Sequence, residues 1–224
     1  MTTEIRKIEG FNCVIAFPDA YDCEKKYPTI LFLHGAGTRG DDVEILKGNL
    51  YFKLTAAQTG FPFITVAPQC SENTWFDRFE ALKALALEIS RYAFVDPTRV
   101  YLMGASMGGY ATWQLAMSIP ECFAAAVPIC GGGMYWNASR LVDLPVWAFH
   151  GALDQVVLPE ESVKMVEKVN KRGGSARLTI YPNNAHDAWS DTYANPEVFR
   201  WLLENTNKNN SELTDEYSGS EIFG

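Results

Sequence analysis

No apolar stretch in this sequence approaches the roughly 20 residues a helix needs to cross a bilayer. The opening MTTEIRKIEG is broken by charge where a secretory signal needs an uninterrupted apolar core, so a cytoplasmic location without membrane attachment is the expectation. Histidine is scarce: there are 3, none paired at helical spacing, and no histidine and cysteine cluster has metal-ligand spacing. No metal or other cofactor is expected. The 5 cysteines (Cys13, Cys23, Cys70, Cys122, Cys130) are odd in number and lack a CxxC pair, which speaks for free thiols; the alternative is a bridge between Cys13 and Cys23 across a short hairpin. Positive charge is also short, with 19 Lys and Arg against 27 Asp and Glu and a net charge of −8. Repulsion therefore disfavours nucleic acid and anionic membrane as partners.

What is there suits one enzyme-sized domain. A chain of 224 residues, 47% hydrophobic, can bury one large core. Residues 4–17 alternate imperfectly, as in one or two antiparallel strands at a sheet edge with Gly10 as the bend. Short apolar runs at 29–33, 63–67, 100–103, 124–129, 146–149 and 177–181 read as strands buried on both faces. Amphipathic stretches at 50–58, 77–93, 107–118, 159–171 and 196–203 read as helices between them. Alternation of this kind predicts an α/β fold with a mostly parallel central sheet and helices on both faces. Residues 1–205 form the single expected domain, and the polar segment 206–224 reads as a mobile tail.

Gly104-Ala105-Ser106-Met107-Gly108 follows the apolar run directly and precedes a helical pattern. That context reads as a serine on a strained strand-to-helix turn, with glycines where neighbouring backbone presses close. A hydroxyl is a weak nucleophile and needs a base, which in turn needs a carboxylate to orient it. His34 and His150 each precede a glycine at a strand end and read as structural, whereas His186 lies in the turn-rich segment YPNNAHDAW and is the candidate base. Asp154, just past the strand ending at His150, is the candidate acid; Asp187 and Asp191 are rivals that read better as helix caps or solvated charges. Negative charge developing on a carbonyl oxygen needs donors, and the amides of Met107 and Ala36, the latter in His34-Gly35-Ala36-Gly37, are the candidate oxyanion hole.

The segments LFLHGAGTRGDD (31–42), VAPQC (66–70), GASMGGYATW (104–113), PICGGG (128–133), PVWAFHG (145–151) and YPNNAHDAW (181–189) resemble a bacterial esterase family of α/β-hydrolases described as predicted peptidases. Relatives of that family include carbohydrate esterases that remove feruloyl or acetyl groups, dienelactone hydrolases and prolyl oligopeptidase-like peptidases. The resemblance implies the α/β-hydrolase fold and a Ser106, Asp154, His186 triad with its oxyanion loop at 35–37. The segment ahead of residue 27 reads as too short for an added polymer-binding module. Only residues 131–143 separate the sixth and seventh strand runs, too few for a large lid, and an uncovered cleft suits a small or saccharide-linked ester better than a long lipid. Trp75, Trp136 and Trp189, with Gln69, fall at the expected rim and are the candidate substrate-binding residues, the bland alternative being that the tryptophans fill gaps between loops. The expected activity is that of a serine carboxylesterase, with a peptidase or a non-catalytic binding protein of the same fold as alternatives. Oligomeric state is left open by the sequence.

Overall fold

The computed structural model describes residues 1–208. β1 (Thr2–Ile8) and β2 (Phe11–Phe17) form an antiparallel hairpin whose bend needs positive φ at Glu9 (48°) and Gly10 (78°). The remaining strands are β3 (Tyr27–Leu33), β4 (Ile64–Pro68), β5 (Val95–Ala105), β6 (Ala125–Ile129), β7 (Val146–Gly151) and β8 (Ala176–Tyr181). They make one 8-stranded sheet in the order β1-β2-β4-β3-β5-β6-β7-β8, parallel from β4 to β8, with β2 antiparallel to both its neighbours. The helices are α1 (Glu44–Lys47), α2 (Leu50–Ala56), α3 (Phe79–Ile89), α4 (Met107–Ser118), α5 (Glu160–Lys171), α6 (Trp189–Ala194) and α7 (Pro196–Glu204).

Successive side chains on a strand point to opposite faces, and the core divides accordingly. Leu31, Leu33, Ile64, Val66 and Leu102 pack beneath α3, α4 and α5, while Ile30, Phe32, Ala67, Tyr101 and Met103 pack beneath α2, α6 and α7. The apolar runs are thus unbroken because each residue has a helix layer to face. The parallel strands also leave all their carboxyl ends on one rim.

Several boundaries differ from the sequence expectation. The stretch 77–93 is two elements: Thr74 and Asp77 make a capping box that starts a separate 3-10 turn, Trp75–Arg78, and α3 ends at Ile89. β5 begins at Val95, ahead of the polar Asp96-Pro97-Thr98, where a register irregularity separates its pairing with Tyr27 from that with Thr29. α1 and α6 were not expected as helices. All 5 cysteines are free, with Cys13 buried in β2 and Cys23 exposed, so no bridge joins them. Asn207, expected in the tail, is buried, its amide donating to Thr98 O and its side chain to Glu121 O. Residues 209–224 of the expected tail lie outside the described residues.

Phe32 lies at the centre of the second core layer, stacked on Tyr51 with ring centroids 4.1 Å apart and edge-on to Tyr193 at 5.8 Å. Phe32→Ala is expected to cost about 3–5 kcal/mol in urea unfolding; a loss below about 1 kcal/mol would contradict this packing.

Candidate active site

Ser106 joins β5 to α4 with φ 56° and ψ −117°, a backbone conformation that a non-glycine residue holds only when its surroundings impose it. The neighbouring glycines explain the imposition. A Cβ at Gly104 would come within 2.5 Å of Gly108 O, one at Gly108 would sit on Leu33 O, and one at Gly109 on Ile129 O. α4 therefore starts in direct contact with the ends of β3 and β6. The Ser106 amide donates to Ile129 O at 2.9 Å, which fixes the turn.

From this turn Ser106 Oγ lies 2.8 Å from His186 Nε2, and His186 Nδ1 lies 2.7 Å from Asp154 Oδ2. The three residues come from the loops after β5, β8 and β7. Those loops are knitted together: Ala152 N donates to Tyr181 O and Leu153 N to Asn184 O, both at 2.9 Å. Gly151 permits the crossing, because a Cβ there would occupy the carbonyl oxygens of Ala185 and Asn184. Trp189 stands perpendicular to the His186 ring, centroids 5.2 Å apart.

The Asp154 carboxyl is fully buried. Burial pushes its pKa up, but the hydrogen bond from His186 and the amides of Val157 and Val156 on Oδ1 outweigh this, leaving it below the ordinary carboxylate value. It is thus an anion able to hold the imidazole with Nδ1 protonated and Nε2 free to accept the serine proton. The rival acids do other work: Asp191 accepts from Asn184 Nδ2 at 2.7 Å, pinning the loop, and Asp187 offers its backbone carbonyl to Ser190.

Beside Ser106, Gly35 brings the loop after β3 into contact, a Cβ there meeting Ala105 O at 3.3 Å and Ser106 Cβ at 3.5 Å. Met107 opens α4 and Ala36 opens the 3-10 turn Ala36–Thr38, so neither amide has an acceptor within its own helix. Both are suited to an incoming oxyanion.

Two expected substrate contacts are corrected by the structure. Trp75 is completely buried, its Nε1 donating to His34 O and its ring packed on the His34 ring at 4.9 Å; it supports the loop after β3 from behind. Gln69 is 3% exposed, with Nε2 donating to Thr38 O and Asp42 O, so it braces the same loop. Trp136 is 65% exposed beside Tyr135, and Trp189 alone of the three tryptophans touches the His186 ring.

His34 and His150 are structural, as expected. His150 bonds Ser162 Oγ and Val157 O and lies 3.3 Å from Asp154 Oδ2. With Cys130 and Asp154 it forms the one group of metal-ligand type among the described residues, atoms within 4.8 Å of one another, and its ring nitrogens are already engaged by protein. Burial pushes the Cys130 thiol up to about 12, so it is held protonated.

The sequence model of the "Dienelactone hydrolase family" matches residues 48–207, which carry all three members of the Ser106, Asp154, His186 chain. The chain belongs to the dienelactone hydrolase family. Its fold is the α/β-hydrolase fold. A "Thermostable Esterase" of known structure superposes with a TM-score of 0.77 at 32% identity, covering 92% of this chain and 63% of that one. "Dipeptidyl-peptidase 5" of Porphyromonas gingivalis is 22% identical over 81% of this chain, which spans only 34% of that protein. "Probable feruloyl esterase C" of Aspergillus terreus is 23% identical over 78% of this chain and 66% of its own length. This dienelactone hydrolase family member has no described helix long and apolar enough to cross a membrane.

His34 also supplies a pH test. Burial, and behind it the charge of Arg39, lowers its pKa from 6.5 to about 4 despite the opposing hydrogen bond to Gly35 O. The ring is neutral with Nδ1–H donating to Gly35 O and Nε2 accepting from Cys70 N. The unfolded ring takes a proton near 6.5 while the folded ring resists until about 4, so stability from this group is complete above 6.5 and eroded as pH falls to 4. The loss is on the order of 3 kcal/mol across that window. Urea unfolding of His34→Gln should show a correspondingly flatter pH dependence, and an unchanged slope would locate the acid sensitivity elsewhere.

Proposed function

We propose that this chain is a serine carboxylesterase acting on small, aryl or sugar-linked esters, with Ser106 as nucleophile, His186 as base, Asp154 as acid and the amides of Met107 and Ala36 as oxyanion donors. The reading is carried by the unbroken hydrogen-bond chain from Ser106 Oγ through His186 to the buried Asp154 carboxylate, with spacings of 2.8 and 2.7 Å. Ser106 Oγ bonds to the ester carbonyl carbon as its proton passes to His186 Nε2. The tetrahedral oxyanion is met by the two amides, each commonly worth about 2.7–4 kcal/mol in such sites. Collapse breaks the bond to the alcohol oxygen, which leaves with the proton from His186. Water then attacks the acyl-enzyme, gives one proton to His186 and releases the acid, while the serine recovers its hydrogen.

The uncovered rim supports small or side-on substrates. Between β6 and β7 the described chain places only the 3-10 turn Tyr135–Leu141, which encloses no deep lipid pocket. Similarity to a dipeptidyl-peptidase over 81% of this chain keeps peptide bonds as a second reading, since the same three side chains would serve. No cofactor is part of either mechanism.

Hydrolysis of p-nitrophenyl acetate should begin with a burst of one equivalent of acyl-enzyme. Ser106→Ala should lower kcat by about 10⁴-fold or more, and Asp154→Asn by about 10²- to 10⁴-fold with the fold retained. Normal turnover by the serine variant would move the nucleophile elsewhere. Methyl ferulate and acetylated xylan should be cleaved faster than a proline-containing dipeptide anilide; the reverse order would favour the peptidase.

A further inference from the structure

α4 is buried along most of its length, and the exceptions are ordered. Besides Met107 at its start, only Ser106, Tyr110, Gln114 and Ser118 are partly exposed, each four residues from the last. Side chains at that spacing share one helix face and advance about 6 Å per step. Tyr110 and Gln114 therefore continue a line that begins at Ser106, and Tyr110 N donates to Ser106 O at 3.0 Å. They line an open groove of about 490 Å³ together with Phe76, Phe79, Met134, Glu161 and the glycines that follow β6.

The groove belongs to one side of the sheet. Phe79 and Met134 pack on the core layer beneath α3, α4 and α5, whereas Trp189, against the His186 ring, packs on the opposite layer. A leaving alcohol must lie at His186 to receive its proton, so the acyl part of an ester is directed away from it, along α4. The lining is aromatic and apolar apart from Gln114 and Glu161. Glu161 Oε1 lies 3.6 Å from Lys164 Nζ, while Oε2 lies toward Gly132 and the Tyr110 ring, where a Cβ on Gly132 would come within 2.6 Å of the carboxylate and 3.2 Å of the ring. Its partner charge is met by Lys164, which leaves Oε2 an acceptor for a neutral donor.

We propose that this groove seats a planar aryl acyl group and that Glu161, beside the Tyr110 ring, selects a neutral hydroxyl on that group and rejects a carboxylate. This rests on the esterase reading and assigns its specificity. Phe76, 48% exposed, and Phe79 supply faces for the ring. Glu161 and the Asp154 anion make the groove hostile to a second negative charge, and burial first, then these two charges, push the Tyr110 phenol above its ordinary value so that it remains a proton donor.

The test compares methyl cinnamate with its 4-hydroxy, 4-carboxy and 4-aminomethyl derivatives, with active enzyme counted by the p-nitrophenyl acetate burst. The wild type should prefer the 4-hydroxy ester to the unsubstituted one by about tenfold or more in kcat/KM, the scale of a hydrogen bond to a charged acceptor. Glu161→Ala should bring that ratio near one, and Glu161→Gln should raise the relative rate of the 4-carboxy ester by about tenfold. Because each ratio is taken within one preparation, partial misfolding does not alter it. A burst with equal rates for all four esters, or ratios untouched by either substitution, would overturn the groove assignment alone. Preference for the 4-aminomethyl ester would overturn the choice of a neutral donor. No burst with any ester would remove the esterase reading, and this one with it.

Discussion

The contact between the start of α4 and the ends of β3 and β6 is the constraint on which the site depends. Backbone there meets backbone with no side chain between, which only glycine at 104, 108 and 109 permits. The approach forces Ser106 into a left-handed conformation and keeps its hydroxyl clear of the sheet. It also places the free amide of Met107 next to that hydroxyl and the loop of Gly35 against it. One steric condition thus sets the Ser106 hydroxyl, the Met107 amide and the Gly35 loop together.

The electrostatics follow from burial on the other side of the site. A carboxylate sealed from water would ordinarily take up a proton, yet Asp154 receives the His186 ring and two loop amides and stays charged. Cys130 and His150 fill the space behind it. His34, in contrast, is buried without a counter-charge and stays neutral, which suits a ring whose task is to accept from Cys70 N and donate to Gly35 O. Two histidines ending strands are therefore scaffolding, and the one in a turn-rich loop reaches the serine.

Much of this was legible in the sequence because it depends on local chemistry. The glycine spacing around Ser106, the unbroken apolar runs and the order of serine, aspartate and histidine each carry a physical requirement that survives without coordinates. What was not legible depends on direction. Trp75 and Gln69 do follow strand ends on the expected rim, but their side chains turn inward to His34 O, Thr38 O and Asp42 O, a choice made by tertiary neighbours far along the chain. α6 was hidden because the residues before it read as turn, and the split at Arg78 because a capping box inside an amphipathic pattern leaves the pattern intact. Glu161 opens an ordinary amphipathic helix, and only the packing of α5 against the glycines after β6 brings it near Tyr110.

β8 closes the sheet, paired on one side only, and several of its residues are partly open to water. The strand that leads to the His186 loop is therefore an edge strand, while Ser106 rises from the middle of the sheet. Fraying of this margin would part the His186 ring from Ser106 while the turn that holds the serine stays whole. Thermal inactivation and global melting are, by this architecture, separable events.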